Sequence, residues 1–450
     1  MLRLYDTALG TVAPLEPRQP GRFSMYVCGP TVSGEPHIGH GRFTVVWDIL
    51  RRYLEWTGLD VRFVSNVTDI EDKILARAAA EGRAAEEVAG HYEKLWWETM
   101  ERLGVKRPTE TPHATGYVQK MVDFISELVE GGHAYVGGDG VYFSAASVDG
   151  YGLLARQSIE SLQAGARIEA GEEAGKRAAI DFVLWKLAKP GEPSWPSPWG
   201  AGRPGWHTEC VVMSLDLLGE DFDLHTGGLD LAFPHHENER AQAVAAGRRF
   251  ARRWAHHGMI VDEGGEKMSK SVGNTLSLLE LLDAYDPRAF RLQVLQSHYR
   301  RPMTVGPTTM AANTAAVERL DTFAREFAAA RAATPDPGAI DRFRAMMEDD
   351  LDTPGAVALG FDLVKDARAA EGAAATGAAA AVFEIFERAL GLPLHDRAAA
   401  VPEEALAKAR QRDQARAEKD WARADALRAE LQADGWVVED TPEGTKIRSA

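Results

Sequence analysis

Met25, Tyr26, Val27 and Cys28 form an unbroken apolar run that Gly29 and Pro30 stop. A short run bounded by breakers predicts a buried strand. After His37-Ile38-Gly39-His40, apolar residues return at helical spacing through Phe43, Val46, Trp47, Leu50 and Leu54, which predicts a helix over 43–53. Val61, Phe63, Val64 and Val67 make a second strand that ends on the polar Thr68 and Asp69. Strand, helix, strand is one βαβ unit, so a parallel sheet is expected. Ligands bind such sheets beyond the carboxyl ends of the strands, so Cys28 and Thr68 are placed to share a crevice.

The pattern then changes along the chain. Helices are predicted over 70–81, 84–103 and 115–130, and the Trp96-Trp97 pair and the Ala runs read there as packing and propensity. Residues 132–136 and 141–144, split by Gly137-Gly138-Asp139-Gly140, predict a hairpin inside an insertion over 131–190. The sheet is expected to resume at 181–186. A Pro-, Gly- and Trp-rich loop over 190–206 has too many breakers for regular structure and too many aromatics for a linker, so it reads as a packed wall. Trp206-His207-Thr208-Glu209-Cys210 opens a helix to about 218, a strand follows at 222–228, and another helix begins near Phe233. A short strand at 259–261 precedes a loop containing Lys267-Met268-Ser269-Lys270-Ser271. Helices dominate from about 276 to 390, residues 402–433 read as one or two charged helices, and 435–448 read as a terminal hairpin. The expected organisation is therefore a sheet domain (1–130 and 181–250), an insertion (131–180), a connecting region (251–304), a helical bundle (305–400) and a small C-terminal domain (401–450).

Composition narrows the classes. The 450 residues suffice for two to four domains. A net charge of −16 argues against a basic body that coats nucleic acid, although a local basic track inside an acidic protein can suffice. Two cysteines exclude a disulfide scaffold. No apolar run is long enough to span a bilayer and the first residues lack a signal-like apolar stretch, so the expectation is a cytoplasmic protein with no membrane partner.

Two constellations carry chemistry. A strand feeding a Gly-containing turn at a helix N-terminus is an anion site, because free N–H groups and the helix dipole both favour phosphate. His37 and His40 sit at that end, where they can meet charge on a reacting phosphate or simply cap the helix. Lys267 and Lys270 with neighbouring hydroxyls suit a clamp on a polyphosphate, or a solvated loop. The second constellation is a metal site. His235 and Glu239 are spaced i, i+4, and Cys28 and Cys210 each lie at an element end near the crevice. Two thiolates, an imidazole and a carboxylate suit zinc. Each residue alone also reads as a buried hydrophobe or a helix-face pair. His225, His236, His256 and His257 remain competing ligands at this point.

Taken together, these blocks resemble the cysteinyl-tRNA synthetases, a family of class I aminoacyl-tRNA synthetases. The resemblance rests on Cys28-Gly29-Pro30-Thr31-Val32 with His37–His40, on 66–74, on 195–210, on 227–239 with its Phe-Pro-His-His-Glu-Asn-Glu core, and on 267–274. Asp349-Asp350-Leu351-Asp352-Thr353-Pro354 and 439–445 also match, so nearly the whole chain is covered. This chain departs from the family at Ser33-Gly34, where Tyr-Asp is usual, and at Gly41, Glu71, Thr208, Thr226 and Thr275. The resemblance implies an α/β fold: a Rossmann-like parallel-sheet catalytic domain with an insertion, then a helical bundle and a small C-terminal α/β anticodon-binding domain. It implies one Zn²⁺ per chain on Cys28, Cys210, His235 and Glu239, selecting a thiol over a hydroxyl. It implies ATP, accompanied by Mg²⁺, against Gly29, Pro30, Thr31, His37, Gly39, His40 and Lys270, with His37, His40, Lys267 and Lys270 acting on the phosphates. Gly29, Thr68 and Trp206 are expected to wall the cysteine pocket. The implied partners are L-cysteine, ATP and tRNA(Cys), and the implied assembly is a monomer. Relatives that join cysteine to an amino sugar share these signatures but lack the C-terminal region.

Overall fold

Residues 1–165, 175–266, 277–396, 403–441 and 444–449 are described in a computed structural model, so Lys267 and Lys270 lie outside the described residues. The chain opens with an antiparallel pair, β1 (Arg3–Asp6) and β2 (Thr11–Pro14). β3 (Arg22–Val27) follows, with Phe23, Met25, Tyr26 and Val27 all buried, as a strand covered on both faces requires. α1 (Ile38–Trp56) crosses over and β4 (Asp60–Ser65) returns parallel to β3, in register from Arg22 opposite Asp60 to Val27 opposite Ser65. The βαβ unit read from the sequence is present.

α2 (Asp72–Glu81), α3 (Ala85–Arg102) and α4 (Val118–Glu130) come next. The insertion is built on an antiparallel sheet in which β5 (Ala134–Val136), β6 (Gly140–Phe143), β7 (Phe182–Leu187) and β8 (Gly202–Pro204) lie in sequence order, with α5 (Ile159–Gly165) between β6 and β7. This corrects one expectation. The run at 181–186 does not resume the parallel sheet, because β7 pairs antiparallel with β6 and β8. A buried apolar run reads alike in either sheet, and only its partners decide.

The parallel sheet resumes later. α6 (Trp206–Leu218) leads to β9 (Leu224–Gly228), and α7 (Glu237–Ala245) leads to β10 (Trp254–His257). The strand order is β10-β9-β3-β4, with β9 parallel to both β3 and β10. The carboxyl ends of these strands thus bring Val27, Ser65, Gly228 and His257 to one edge of the sheet. Beyond it, β11 (Ile260–Val261), α8 (Leu278–Ala284), α9 (Pro287–Leu295) and β12 (Met303–Thr304) form a second layer in which β11 pairs parallel with β12. α10 (Pro307–Glu326), α11 (Pro337–Glu348), α12 (Thr353–Ala369) and α13 (Gly372–Phe383) supply the expected helices.

The chain divides into two units, Met1–Glu318 with Ala329–Pro393, and Arg319–Ala328 with Leu394–Ala450. In the second, α14 (Glu403–Ala417) and α15 (Trp421–Ala433) pack against a hairpin of β13 (Trp436–Thr441) and β14 (Gly444–Ser449). Ala405, Ala409, Leu431 and Val438 form its core, and the buried Arg412 donates to Asp440 at 2.7 Å. No helix among the described residues is long and apolar enough to cross a membrane.

One buried ion pair ties the crossover helix to its neighbours. Asp48 of α1 accepts from Arg291 at 2.5 Å, from Arg52 at 2.7 Å and from the backbone N–H of Lys106 at 2.9 Å. Burial works against its charge, yet Arg291 and then Arg52 hold the carboxyl below its ordinary value. Asp48→Ala leaves the Arg291 guanidinium buried and unpaired, which costs about 3–5 kcal/mol. Urea unfolding followed by tryptophan fluorescence reads that loss. Because the folded carboxyl titrates below its unfolded value, the pair's contribution is present above about pH 4 and fades as pH falls.

Candidate active site and metal centre

A cleft of about 460 Å³ opens at the carboxyl edge of the parallel sheet. Its lining runs from Cys28, Trp206, Cys210 and His235 at one end to His40, Gly258, Met259 and Ile260, with Gly29, Pro30, Thr31, Ser33 and His37 between. Gly29 is required there. A Cβ at this position would come within 1.7 Å of the Asn66 carbonyl oxygen, while the Gly29 N–H donates to the Asn66 side-chain oxygen at 2.9 Å. The end of β3 is thereby pinned against the residue that leaves β4.

At the first end, four side chains from four parts of the chain converge. Cys28 follows β3, Cys210 lies in α6, His235 lies on a single wide turn over Ala232–His236, and Glu239 lies in the first turn of α7. All four are buried, and one ligand atom from each lies within 4.8 Å of all the others. Cys28 Sγ is 3.5 Å from Cys210 Sγ and 3.4 Å from Glu239 Oε1. His235 Nε2 is 2.9 Å from Glu239 Oε1 and 3.7 Å from Cys210 Sγ. Sulfur, nitrogen and oxygen acceptors packed this closely out of water repel one another unless protons or a cation lie between them. The donor set fits a borderline-soft divalent ion. A second grouping, Cys28, His225, His236 and Glu239, meets the same distance test.

A second layer of histidines supports the cluster. His225 Nε2 is 2.7 Å from Glu239 Oε2, so the carboxylate is gripped at both oxygens. His207 Nδ1 is 2.8 Å from His235 Nδ1, and one ring must donate while the other accepts. Trp206 stacks on His235 with centroids 4.0 Å apart. His236 Nδ1 meets His256 Nε2 at 2.8 Å, and His256 Nδ1 meets Thr7 at 2.6 Å. His225 Nδ1 and His236 Nε2 are buried with no hydrogen-bond partner among the described residues.

The electrostatics follow from this packing. Burial opposes ionisation of Glu239, but His225 and His235 hold its carboxyl well below the usual range. Burial likewise opposes the charged form of His235, and Glu239 overcomes it, raising the imidazole to about 10. Burial and the Cys210 sulfur push the Cys28 thiol up. Against its own burial, Cys210 is brought down to about 6 by its contacts with Cys28 and His235. Burial, then the Cys210 charge, raises Glu209 well above the carboxylate range, and Thr68 donates to it at 2.8 Å.

At the other end, Ile38 begins α1, and the His37 and His40 rings stack 3.7 Å apart. The His37 N–H donates to His40 Nδ1 at 3.2 Å. Gly29, Pro30, Thr31, His37, Gly39, His40 and Trp206 all line the cleft. Thr68 does not line it. Its hydroxyl is turned to the buried Glu209, while Asn66 takes the place on the wall. Sequence reasoning missed Asn66, His207 and Glu209 as parts of the site, although all three stand inside motif blocks.

Comparison with known proteins gives the fold and the family. Solved structures with the same fold include a methionyl-tRNA synthetase from Mycobacterium tuberculosis in complex with methionyl-adenylate (TM-score 0.59, 16% identity, 82% of this chain and 89% of the other). A LeuRS–tRNA–LeuAMS ternary complex from Agrobacterium radiobacter K84 gives a TM-score of 0.62 at 12% identity, covering 84% of each chain. At these identities they show the fold alone, that of the class I tRNA synthetases. Residues 14–315 match the model of the tRNA synthetases class I (C) catalytic domain, 342–395 that of the DALR domain, and 398–448 that of the cysteinyl-tRNA ligase anticodon binding domain. A cysteine–tRNA ligase of Micrococcus luteus is 47% identical over 100% of this chain and 99% of its own length, and one of Halorhodospira halophila is 45% identical over the same shares. The chain belongs to the cysteine–tRNA ligase family.

The two overlapping groupings make different predictions. Cys210→Ser and His235→Asn should each lower bound metal per chain by about tenfold or more after dialysis, measured by plasma emission, while His236→Asn keeps the ion. Loss with His236→Asn but not with His235→Asn would move the ion to the other grouping.

Proposed function

We propose that this chain is a cytoplasmic, monomeric enzyme that activates L-cysteine with ATP and Mg²⁺ and transfers the cysteinyl group to tRNA(Cys). The observation that carries this reading is the single cleft with a thiol-rich buried donor set at one end and the histidine-bearing N-terminus of α1 at the other. Cys28, Cys210, His235 and Glu239 would hold one Zn²⁺. When bound, zinc would supply a borderline-soft Lewis acid that takes a thiolate in preference to a hydroxyl.

The remaining work falls to the chain's own groups. Trp206, Gly29 and Asn66 bound the space for the amino acid, with Thr68 acting on that wall through Glu209 and Cys210. The cysteine carboxylate attacks the α-phosphate, and pyrophosphate leaves. The positive end of the α1 dipole, with His37 and His40, faces the charge that builds on the phosphate. Lys267 and Lys270 are assigned to the leaving phosphates on family grounds. The terminal adenosine of the tRNA then takes the cysteinyl group and releases AMP.

Cysteine-dependent ATP–pyrophosphate exchange followed by charging of tRNA(Cys) tests this reading. Exchange with charging is expected, and cysteine transferred to an amino sugar with no tRNA product would contradict it. Lys270→Ala should slow exchange by about 10²-fold or more. An unchanged rate would remove Lys270 from the chemistry.

A further inference from the structure

The connection between α11 and α12 has a feature that the chemistry above does not use. Asp350 and Leu351 both adopt left-handed backbone, φ 57° and 56°, and Asp350 is buried. Non-glycine residues persist in that region only where the surroundings hold them. Here the hold is clear. Asp350 Oδ1 accepts from the Tyr5 N–H and the Tyr299 hydroxyl, both at 2.8 Å. Oδ2 accepts from Arg300 Nε at 2.7 Å and from Arg300 Nη2. The Arg300 guanidinium also lies over the Tyr5 ring, 4.7 Å from its centroid. The Asp350 N–H donates to the Arg3 carbonyl at 3.0 Å. One carboxylate thus ties β1 to the turn at 298–301.

That turn in turn holds the floor of the cleft. The Tyr299 carbonyl accepts from the Gly258 N–H at 2.8 Å and from Arg42 Nη2 at 3.0 Å. The Arg301 carbonyl accepts from Arg42 as well, and Met259 O accepts from Arg42 Nη1 at 2.6 Å. Gly258 presses on the turn so closely that a Cβ would lie 2.5 Å from Arg301 O and 2.7 Å from Arg300 O. Gly258, Met259 and Ile260 line the cleft, and Arg42 stands on α1 two residues beyond His40. Backbone packed this tightly passes on a displacement rather than absorbing it.

We propose that Asp350 is a positioning residue for the nucleotide half of the cleft, fixing the 298–301 turn so that its carbonyls hold the 258–260 floor and Arg42 in register with His37 and His40. This rests on the reading that ATP lies over that floor. Among the described residues, Asp350 makes no hydrogen bond to Cys28, α6, the 232–236 turn or α7, which carry the metal-site side chains, so the two substrates should respond differently.

Asp350→Asn is the informative change, because Asn tolerates left-handed backbone and keeps an acceptor for Tyr5 and Tyr299 while losing the charge on Arg300. In exchange assays the ATP KM should rise about tenfold, with the cysteine KM and bound metal within about twofold of wild type. Tyr299→Phe, which removes one hydroxyl, should move the ATP KM the same way by less, and the two changes combined should be non-additive. Glu348→Gln, which breaks the nearby pair with the Met1 ammonium at 2.6 Å, should leave the ATP KM unchanged. An unchanged ATP KM in Asp350→Asn, or ATP and cysteine KM rising together, overturns the proposal. If the wild-type chain lacked cysteine-dependent exchange, the activity reading would fail instead. Direct ATP binding by calorimetry would then decide the positioning role, with weaker binding in Asp350→Asn supporting it and equal binding overturning it.

Discussion

The Glu239 carboxylate is the constraint around which this site is built. It is fully buried, and an isolated charge there would cost several kcal/mol. His225 meets one oxygen at 2.7 Å and His235 the other at 2.9 Å, so neither oxygen can turn away. To make that grip, β9 must bring His225 beneath the start of α7, and the wide turn at Ala232–His236 must place His235 one helical turn before Glu239. The two thiols close the remaining side. Cys28 arrives with the central strand β3 and Cys210 with α6, which packs against that strand. The cluster thereby fixes the relative positions of the elements that make one end of the cleft.

Opposite ends of the cleft are joined by a single short turn. Cys28 and His37 are nine residues apart, and Gly29 lets the chain between them pass against Asn66 where any side chain would collide. The buried donor cluster and the histidine-bearing start of α1 are therefore both set by one strand terminus. On the far side, the carbonyls of Tyr299 and Arg301 and the buried Arg42 hold the 258–260 floor against α1. The two ends rest on different supports, which is why a change at Asp350 is expected to separate them.

Much of this was legible in the sequence, for physical reasons that differ by residue. The strand before Cys28 and the helix after His40 carry strong periodicity, and β3-α1-β4 follows from it. His235 and Glu239 were paired by helical spacing, but spacing could not choose among the histidines. His225, His236 and His256 are all buried in the same layer, so only the register of β9 with β3 and β10 shows which ring reaches which oxygen. Thr68 ends a strand run in the sequence, which points it to the wall. β4 stops at Ser65, the alternation of faces ends with it, and Asn66 takes the wall while Thr68 turns inward to Glu209. A buried apolar run does not name its partners, so the pattern at 181–186 alone does not show that β7 pairs with β6 and β8. Asp350 stood in a recognised block, yet nothing local shows that its carboxylate joins residues 5 and 299–300.

The central claim is that the buried Cys28, Cys210, His235 and Glu239 set makes this cleft choose a thiol. The most direct test is the ratio of kcat/KM for L-cysteine to that for L-serine in ATP–pyrophosphate exchange by the metal-loaded chain. A site that requires a bond the competitor cannot make discriminates by about 10⁴ or more, and that ratio is expected here. Serine activation within about a hundredfold of cysteine, the most that shape alone gives between such similar side chains, would contradict the account.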